Sequence, residues 1–274
     1  MTPASLNSDS EKRHFVYHFM KSKVPLIKNK AATNVQNTPF AKIERVPSGI
    51  PGLDELISGG FVKNSTVLIQ GGTGSGKTLL CLQYLYGGIT QYDEPGVYLS
   101  FAESESLIQQ HGAQFGWDFE KLEKEGKFKV IRYQPHEIVR IIDEGGGVIR
   151  DTVEAMGAKR LVIDSLSAYE MLFDNKYRAN ESILTLLEIL RKWNTTSLVT
   201  SERAINPAIE GKSRLGFLTD GILNLYYLRT GLHRARALEV LKMRDTQHSD
   251  VVRIFNLDRK GLSVTKKVGN VRRQ

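Results

Sequence analysis

The sequence contains almost no cysteine and no long apolar run. Cys81 is the only cysteine among 274 residues, so no internal disulfide can form and a cysteine-based zinc site lacks its ligands. No segment reaches the roughly 18 uncharged apolar residues of a membrane-spanning helix, and the first residues lack the apolar core of a secretory signal. These absences predict a soluble protein of the reducing cytoplasm, without a membrane span.

Acidic residues are scarce at the two ends of the chain. The net charge is +8, yet residues 1–42 alone contribute +5 (seven basic, two acidic) and residues 259–274 contribute +6 (six basic, no acidic). The remaining 25 basic and 28 acidic residues give −3. Basic ends of this kind are typical of solubilising arms, or of arms that bind DNA or an acidic protein partner.

Internal repeats are also absent, which indicates one copy of one domain. Residues 1–42 show no sustained helical or strand period, so we interpret them as a basic N-terminal arm. From residue 43 to 267, short β-branched apolar runs alternate with helical stretches, the pattern of parallel strands joined by crossover helices. The predicted organisation is therefore an arm over 1–42, one α/β domain over 43–267 and a basic C-terminal tail over 268–274.

Five apolar runs predict a mostly parallel central sheet with helices on both faces. Their near-continuous apolar character is the one expected when both sides of a strand are covered. Residues 182–193 have apolar side chains at spacings of three and four, which predicts an amphipathic helix on this sheet. After residue 215, short turns between strands predict a largely antiparallel C-terminal extension. The predicted strands are 66–70, 96–101, 128–133, 160–164 and 196–201 in the centre, and 222–228, 235–242, 251–256 and 262–264 in the extension.

A glycine-rich loop follows the first central strand. The sequence GGTGSGKT, from Gly71 to Thr78, lies between that strand and an apolar helical segment, which is the order of a phosphate-binding P-loop. In such a loop the backbone N–H groups and the helix dipole attract an anion, and Lys77 supplies a charge for the β and γ phosphates. The sequence therefore predicts an ATP site. Its predicted ligands are Gly72, Thr73, Gly74, Ser75, Gly76, Lys77, Thr78, Leu79 and Asp164.

Two of these residues are also predicted to hold Mg²⁺. Thr78 offers a hydroxyl directly after the P-loop lysine, and Asp164 ends a strand, where an acidic partner for the metal is expected. A strand-ending aspartate is also an ordinary turn residue, but its occurrence beside a P-loop favours metal binding. The histidines, including His111, have no metal-ligand spacing, and we interpret them as surface or packing residues.

Four further segments together resemble the KaiC family of RecA-superfamily ATPases, over about residues 43–267. Many families share a P-loop, whereas this ordered set is specific. The resemblance implies a RecA-like P-loop fold in which subunits, commonly six in a ring, bind ATP at their interfaces. KaiC itself has two such domains, so this chain is similar to one half of it. The four segments are GIPGLDELISGG (49–60), DEPGVYLSF (93–101), TSER (200–203) and LEVLKMRDTQH (238–248).

The resemblance also implies that two cations act on a neighbouring subunit. In the family, a lysine and an arginine on a late strand reach into the neighbour's ATP site, and the matching residues here are Lys242 and Arg244. A cation supplied in trans offsets the charge that develops on the γ-phosphate. The alternative is that both residues belong to a solvated basic strand face.

The family's catalytic glutamate pair follows the second central strand, and here the sequence departs from the pattern. Ala102 occupies the first position, so Glu103 is the one remaining catalytic candidate. Loss of a general base usually lowers the rate by about 10² to 10⁴, so we expect slow ATP hydrolysis. The alternatives are that Glu103 merely caps the following helix, and that the protein is a non-hydrolysing ATP sensor or scaffold.

The leading interpretation is an oligomeric ATPase that works as an ATP-dependent regulatory or signalling switch. Some family members phosphorylate an adjacent Ser-Thr pair, which falls on 216–217 (Gly-Phe) here; this argues against an autokinase, although Thr219 lies nearby. A recombination or repair ATPase that binds DNA is the alternative, with Lys212 and Arg214 lining a ring opening. The loop 204–216 offers little aromatic surface for single-stranded DNA, which disfavours that alternative.

Overall fold

One nine-stranded sheet forms the centre of the molecule. The structure, a computed structural model, describes residues 43–134, 137, 141, 145–203, 215–230 and 233–268. The predicted arm, residues 269–274 of the predicted tail, and Lys212 and Arg214 lie outside the described residues. In chain order the strands are β1 Arg45–Val46, β2 Phe61–Val62, β3 Thr66–Gly71, β4 Gly96–Ser100, β5 Phe128–Arg132, β6 Arg160–Asp164, β7 Thr196–Glu202, β8 Gly221–Thr230, β9 His233–Met243, β10 Arg253–Asp258 and β11 Gly261–Val268.

The helices lie between these strands. Short 3₁₀ turns occur at Asp54–Ile57 and Leu215–Phe217. Within the described part of the chain, no helix has the length and apolar character needed to cross a bilayer. The α-helices are α1 Lys77–Tyr92, α2 Glu105–Ala113, α3 Phe119–Lys124, α4 Gly147–Met156, α5 Leu166–Glu170 and α6 Lys176–Lys192.

The sheet has a parallel part and an antiparallel part, in the order β11-β10-β9-β8-β3-β7-β6-β4-β5. Strands β3 to β8 are all parallel, which confirms the predicted central sheet with its helices. Strands β9, β10 and β11 continue it in antiparallel pairs. The extension differs from the prediction in its first strand, since β8 is parallel to β3. The connection over 203–220 is long enough for the crossover that parallel strands require.

Each face of the sheet packs against its own helices. Val67 and Ile69 of β3 belong to the same core cluster as the buried face of α1, whereas Leu68 lies in the other cluster, with the apolar stripe of α6. This alternation follows from the two-residue period of a strand. Helix α6 begins six residues before the predicted start at 182, because the Asn175 side chain accepts a hydrogen bond from the Tyr177 N–H at 2.8 Å and caps it.

The carboxyl ends of the parallel strands meet at one edge of the sheet. In the pairing register, Gly71 at the end of β3 lies opposite Glu202 of β7, and Ser100 of β4 lies opposite Asp164 of β6. Residues that follow these strands are therefore brought together, although they are far apart in sequence. In open α/β sheets this edge is where ligands bind.

Candidate nucleotide-binding site

The glycine-rich loop forms a tight turn between β3 and α1. Gly74 (φ +76°) and Gly76 (φ +102°) adopt left-handed backbone conformations that residues with side chains rarely adopt. The Ser75 N–H donates to the Gly72 carbonyl at 3.2 Å, which closes the loop. No side chain caps the N-terminus of α1, so its first N–H groups are available to an anion.

The P-loop side chains are arranged around this turn. Lys77 Nζ donates to the carbonyls of Gly71 (2.9 Å) and Gly72 (3.1 Å), so the ammonium group already lies at the loop. Ser75 Oγ is buried without a hydrogen-bond partner among the described residues. The Thr73 hydroxyl donates to the Glu202 carboxylate. Leu79, the predicted ligand that follows Thr78, packs against the core cluster of α1. The loop therefore fits a phosphate group by its backbone and by Lys77.

The carboxylate of Asp164 gathers hydroxyl groups from three other elements. Thr78 Oγ1 of α1 donates to Oδ2 at 2.8 Å, and the Tyr98 hydroxyl of β4 donates to the same oxygen at 2.7 Å. Thr200 Oγ1 of β7 donates to Oδ1 at 2.5 Å. The structure thus brings the two predicted Mg²⁺ ligands into contact. Sequence reasoning missed Tyr98 and Thr200, although both lie in segments that carry the KaiC resemblance.

Burial fixes the protonation of two groups beside this carboxylate. It raises the pKa of Tyr98 well above the ordinary value for tyrosine, and the charge of Asp164 raises it further. Tyr98 therefore remains a hydrogen-bond donor at physiological pH. Burial likewise raises the pKa of the Cys81 thiol, and Asp164 contributes, so Cys81 stays protonated and unreactive.

The donor set suits Mg²⁺ bound together with a nucleotide. Thr78 and Asp164 present hard oxygen ligands, and among the described residues no group of three or more His, Cys, Asp or Glu residues forms a separate metal site. Mg²⁺ commonly takes one or two protein oxygens and completes its shell with phosphate oxygens and water. Thr78 and Asp164 therefore fit the role predicted for them when ATP is also present.

Glu103 lies in the turn after β4, and its position is fixed by Ser100. The Ser100 hydroxyl accepts from the Glu103 N–H at 2.9 Å and donates to the Glu103 carbonyl at 2.8 Å. The alternative that Glu103 caps α2 is wrong, because the capping side chain is Ser104, which accepts from the Leu107 N–H. His111 Nε2 lies 3.5 Å from Glu103 Oε2. Sequence reasoning missed this neighbour, since it interpreted His111 as a surface or packing residue.

Lys242 and Arg244 do not lie at their own chain's P-loop. Lys242 pairs with Ile222 of β8, and Ile222 pairs with Leu68 near the start of β3. The P-loop begins at Gly71, three residues or about 10 Å further along that strand. Because β9 runs antiparallel to β8, its end lies at the opposite edge of the parallel sheet from the nucleotide site.

Both cations are held by the segment 216–220, which we call the cation loop. Burial, and then the charge of Arg244, lower the pKa of Lys242. Arg244 is 49% exposed. The bonds run from Lys242 Nζ to the carbonyls of Gly216 (2.8 Å) and Thr219 (2.6 Å), and from Arg244 to the Asp220 carboxylate (2.9 Å) and the Phe217 carbonyl (3.3 Å).

An aromatic and cationic group borders the P-loop from strands β8 and β9. Arg236 Nε donates to the Gly74 carbonyl at 3.2 Å, and the Arg236 guanidinium lies 4.5 Å from the centre of the Tyr227 ring. Arg234 lies 4.8 Å from the same centre. Sequence reasoning missed this group. The alternation of the arginines at 234 and 236 was the available signal, because it places both on one face of a strand.

The fold and the site together define the class of the protein. A P-loop joins the central strand β3 to α1, and the carboxylate at the end of β6 meets the P-loop threonine within a mostly parallel sheet. This arrangement is that of an ATP-binding, RecA-like P-loop protein. The sequence model of the KaiC ATPase family matches residues 46–269. The chain therefore belongs to this family, as the resemblance predicted.

Similar proteins cover most of the chain. A UPF0273 protein of Methanocaldococcus jannaschii is 32% identical over 240 residues, which is 81% of this chain and 96% of that protein. The circadian clock oscillator protein KaiC of Nostoc sp. is 31% identical over 254 residues, and the chain spans about half of it (49%). The crystal structure of the KaiC-like protein PH0186 of Pyrococcus horikoshii has a TM-score of 0.71 at 36% identity, and covers 81% of this chain and 99% of that one.

Proposed function

We propose that this protein is a slow Mg²⁺-dependent ATPase that assembles into a ring, with six subunits as the expected number, and acts as an ATP-dependent regulatory switch. One observation carries the proposal. Lys242 and Arg244 lie at the sheet edge opposite their own P-loop, so these cations can serve the nucleotide of another copy but not their own. Binding sites shared between neighbours make the nucleotide state and the assembly depend on each other.

The chain's own residues explain the binding of ATP. The N–H groups at the start of α1 and the Lys77 ammonium hold the phosphates. Thr78 and Asp164 hold Mg²⁺, which neutralises charge on the β and γ phosphate oxygens when it is bound. Tyr98 and Thr200 orient the Asp164 carboxylate through their hydroxyl groups. Arg236 and Tyr227 border the P-loop on its other side and complete the wall of the site.

Hydrolysis requires a base for the attacking water. Water attacks the γ-phosphorus, the bond between this phosphorus and the β–γ bridging oxygen breaks, and the water proton passes to Glu103. Lys242 and Arg244 of the neighbouring copy offset the charge that develops on the phosphoryl group. Ala102 has a methyl group and accepts no proton, which supports a slow rate. If ATP binds but no phosphate is released, the protein is instead a sensor or scaffold.

Two other roles gain less support. Thr219 is fully buried, and Phe217, two residues before it, is exposed but has no hydroxyl group. Both observations support the absence of an autokinase activity. The N-terminal arm and residues 269–274 lie outside the described residues, whereas 259–268, with four of the six basic residues of the C-terminal end, form the turn after β10 and strand β11. Binding of DNA or of an acidic protein stays a prediction. The cytoplasmic location also stays a prediction.

A mixing experiment tests the proposal. Lys77→Ala impairs a subunit's own site, whereas Arg244→Ala impairs the neighbour's site, so each variant alone should retain only a small residual ATPase activity. When the two are co-assembled at equal amounts, about a quarter of the interfaces pair an intact P-loop with an intact arginine, as random occupation of a head-to-tail ring requires. ATPase activity should therefore return. A mixture that stays at the residual activity, although light scattering shows mixed assemblies, would contradict sites shared between subunits.

A further inference from the structure

The carboxylate of Asp220 joins the strand that leads to the P-loop with the arginine proposed to act in trans. Its Oδ2 accepts from the backbone N–H of Thr66, the first residue of β3, at 3.0 Å. Its Oδ1 accepts from Arg244 Nη1 at 2.9 Å and from Arg191 Nη2 at 3.4 Å. The Asp220 side chain is only 19% exposed, so these charge-assisted bonds are shielded from water more than a surface pair would be.

The backbone of Asp220 makes the same two connections. Its N–H donates to the Thr66 carbonyl at 2.8 Å, and its carbonyl accepts from the Arg244 N–H at 2.8 Å. Main chain and side chain together therefore leave Arg244 little freedom relative to β3. A surface ion pair contributes little to the stability of a protein. Stability alone therefore does not explain why Arg244 is held through both its main chain and its side chain.

We propose that Asp220 is a positioning residue that presents Arg244 to the nucleotide of the neighbouring subunit. The inference rests on the proposed function, which gives Arg244 its role in trans. A guanidinium group has five N–H donors, and the contacts to Asp220 and Phe217 leave donors free on a half-exposed side chain. Arg244 is thus anchored on one side and open on the other. A cation held in place before the reaction stabilises the transition state without reorganisation at that moment.

Arg191 supports this assignment. It gives Asp220 a second cation from the end of α6, so the carboxylate stays compensated when Arg244 turns part of its donors toward a phosphate. The contrary arrangement would be sequestration, in which Asp220 withholds Arg244 from the neighbour. The two arrangements predict opposite changes in turnover when the carboxylate charge is removed.

The test is a double-mutant cycle on the assembled protein. Asp220→Asn keeps the size of the side chain and an acceptor for the Thr66 N–H but removes the charge. It should lower kcat about 10- to 100-fold, as expected for a misplaced catalytic group, and leave KM for Mg-ATP unchanged, because Arg244 acts in the transition state. In a protein that already carries Arg244→Ala, Asp220→Asn should not lower kcat further, because both substitutions remove the same interaction. Asp151→Asn, at an exposed carboxylate beside Arg150, is the matched control and should leave both constants unchanged.

Each other outcome decides against the inference. An unchanged or raised kcat in Asp220→Asn, or a loss that adds to that of Arg244→Ala, overturns it while the proposed function stands. If Arg244→Ala itself has no effect, the role in trans fails and the inference fails with it. If Asp220→Asn does not fold, Asp220→Glu replaces it, because the charge remains but moves by one methylene; a wild-type kcat in that folded variant would overturn the positioning role.

Discussion

At the scale of single residues, the Asp164 carboxylate shows how the site is built from groups that are distant in sequence. Three hydroxyl donors from α1, β4 and β7 converge on it. Thr78 plays a double part, because the same hydroxyl that now bonds to Asp164 is the one expected to bind Mg²⁺. In the proposed site, Tyr98 and Thr200 would hold the carboxylate in place when the Thr78 hydroxyl binds Mg²⁺. Such supporting contacts around metal ligands influence affinity strongly.

Tyr98→Phe should weaken Mg²⁺ binding in the presence of ATP by about 10-fold, since loss of a supporting hydrogen bond typically costs 10- to 100-fold in metal affinity. The measurement is a Mg²⁺ titration of nucleotide binding. Tyr84→Phe is the matched control, because Tyr84 is equally buried and its hydroxyl donates to the Thr196 carbonyl, away from Asp164. Equal Mg²⁺ affinities in both variants would remove Tyr98 from the metal site.

Glu103→Gln should lower ATP turnover by about 10² to 10⁴, the usual effect of losing a general base, and leave ATP affinity unchanged. Phosphate release under single-turnover conditions measures the rate. Glu105→Gln serves as the control, since Glu105 lies on α2 and pairs with Lys129 on β5. A rate equal to wild type would show that Glu103 takes no part in hydrolysis.

The lowered pKa of Lys242 predicts a pH dependence. Burial and the charge of Arg244 move this pKa below its ordinary value of 10.5, so the ammonium charge is present at low pH and is lost as the pH rises through the lowered pKa. ATPase activity that depends on Lys242 should therefore fall on the alkaline side earlier than an ordinary lysine would allow. Lys242→Arg should retain its charge and extend the active range, because an arginine stays protonated at these pH values. Identical alkaline limbs in kcat profiles of the two proteins would contradict this role.

At the scale of elements, the P-loop depends on backbone conformations that only glycine adopts easily. Gly76→Ala places a side chain at φ +102°, where the added Cβ has no close clash, since its nearest neighbour, in Phe255, lies 3.7 Å away. The expected effect is therefore backbone strain, of about 1 to 3 kcal/mol. Relief of that strain moves the first N–H groups of α1, so ATP affinity should fall.

Gly126→Ala is the control for this change. Gly126 also has a positive φ (+70°), and nothing lies within 4 Å of an added Cβ, but it follows α3 away from the site. Both variants should lose thermal stability, and only Gly76→Ala should lose affinity in an isothermal titration with Mg-ATP. Equal affinities would show that the loop tolerates the shift.

The bounds of the strands and helices show which of them local sequence signals predict well. The P-loop strand was predicted to within one residue, because β-branched residues and then glycines mark its start and end. Helix α6 begins six residues before its predicted start, since its first turns carry polar residues and the Asn175 cap is the only local signal. Strand β10 begins two residues later than predicted. The apolar run starts before the first residue that pairs with β9. The sequence of one strand does not reveal this, because register depends on both strands of a pair.

At the scale of the whole molecule, the sheet separates the two groups of residues that we propose to form one shared active site. Its carboxyl edge holds the P-loop, Asp164 and Glu103, and its opposite edge holds the cation loop with Lys242 and Arg244. One copy therefore has the P-loop at one edge and the two cations at the other, which is the head-to-tail geometry that the proposed ring requires. The mixing experiment tests this arrangement directly, and the Asp220 cycle tests how firmly the second edge is held.

The sequence by itself determined the features that depend on neighbours along the chain. These are the alternation of strands and helices, the P-loop with Lys77 and Thr78, the strand-ending Asp164 and membership of the KaiC family. Each depends on a short pattern whose physical cause lies within a few residues, such as glycine conformation or the two-residue period of a strand.

Only the tertiary structure decided which distant residues meet. Strand order and register bring Tyr98 and Thr200 to Asp164. They also bring His111 close to Glu103, and Asp220 to Arg244. The sequence likewise left open that Lys242 and Arg244 lie at the edge away from their own P-loop. These facts are set by long-range pairing, in which one strand's neighbours are chosen by the packing of the whole sheet and not by any local segment.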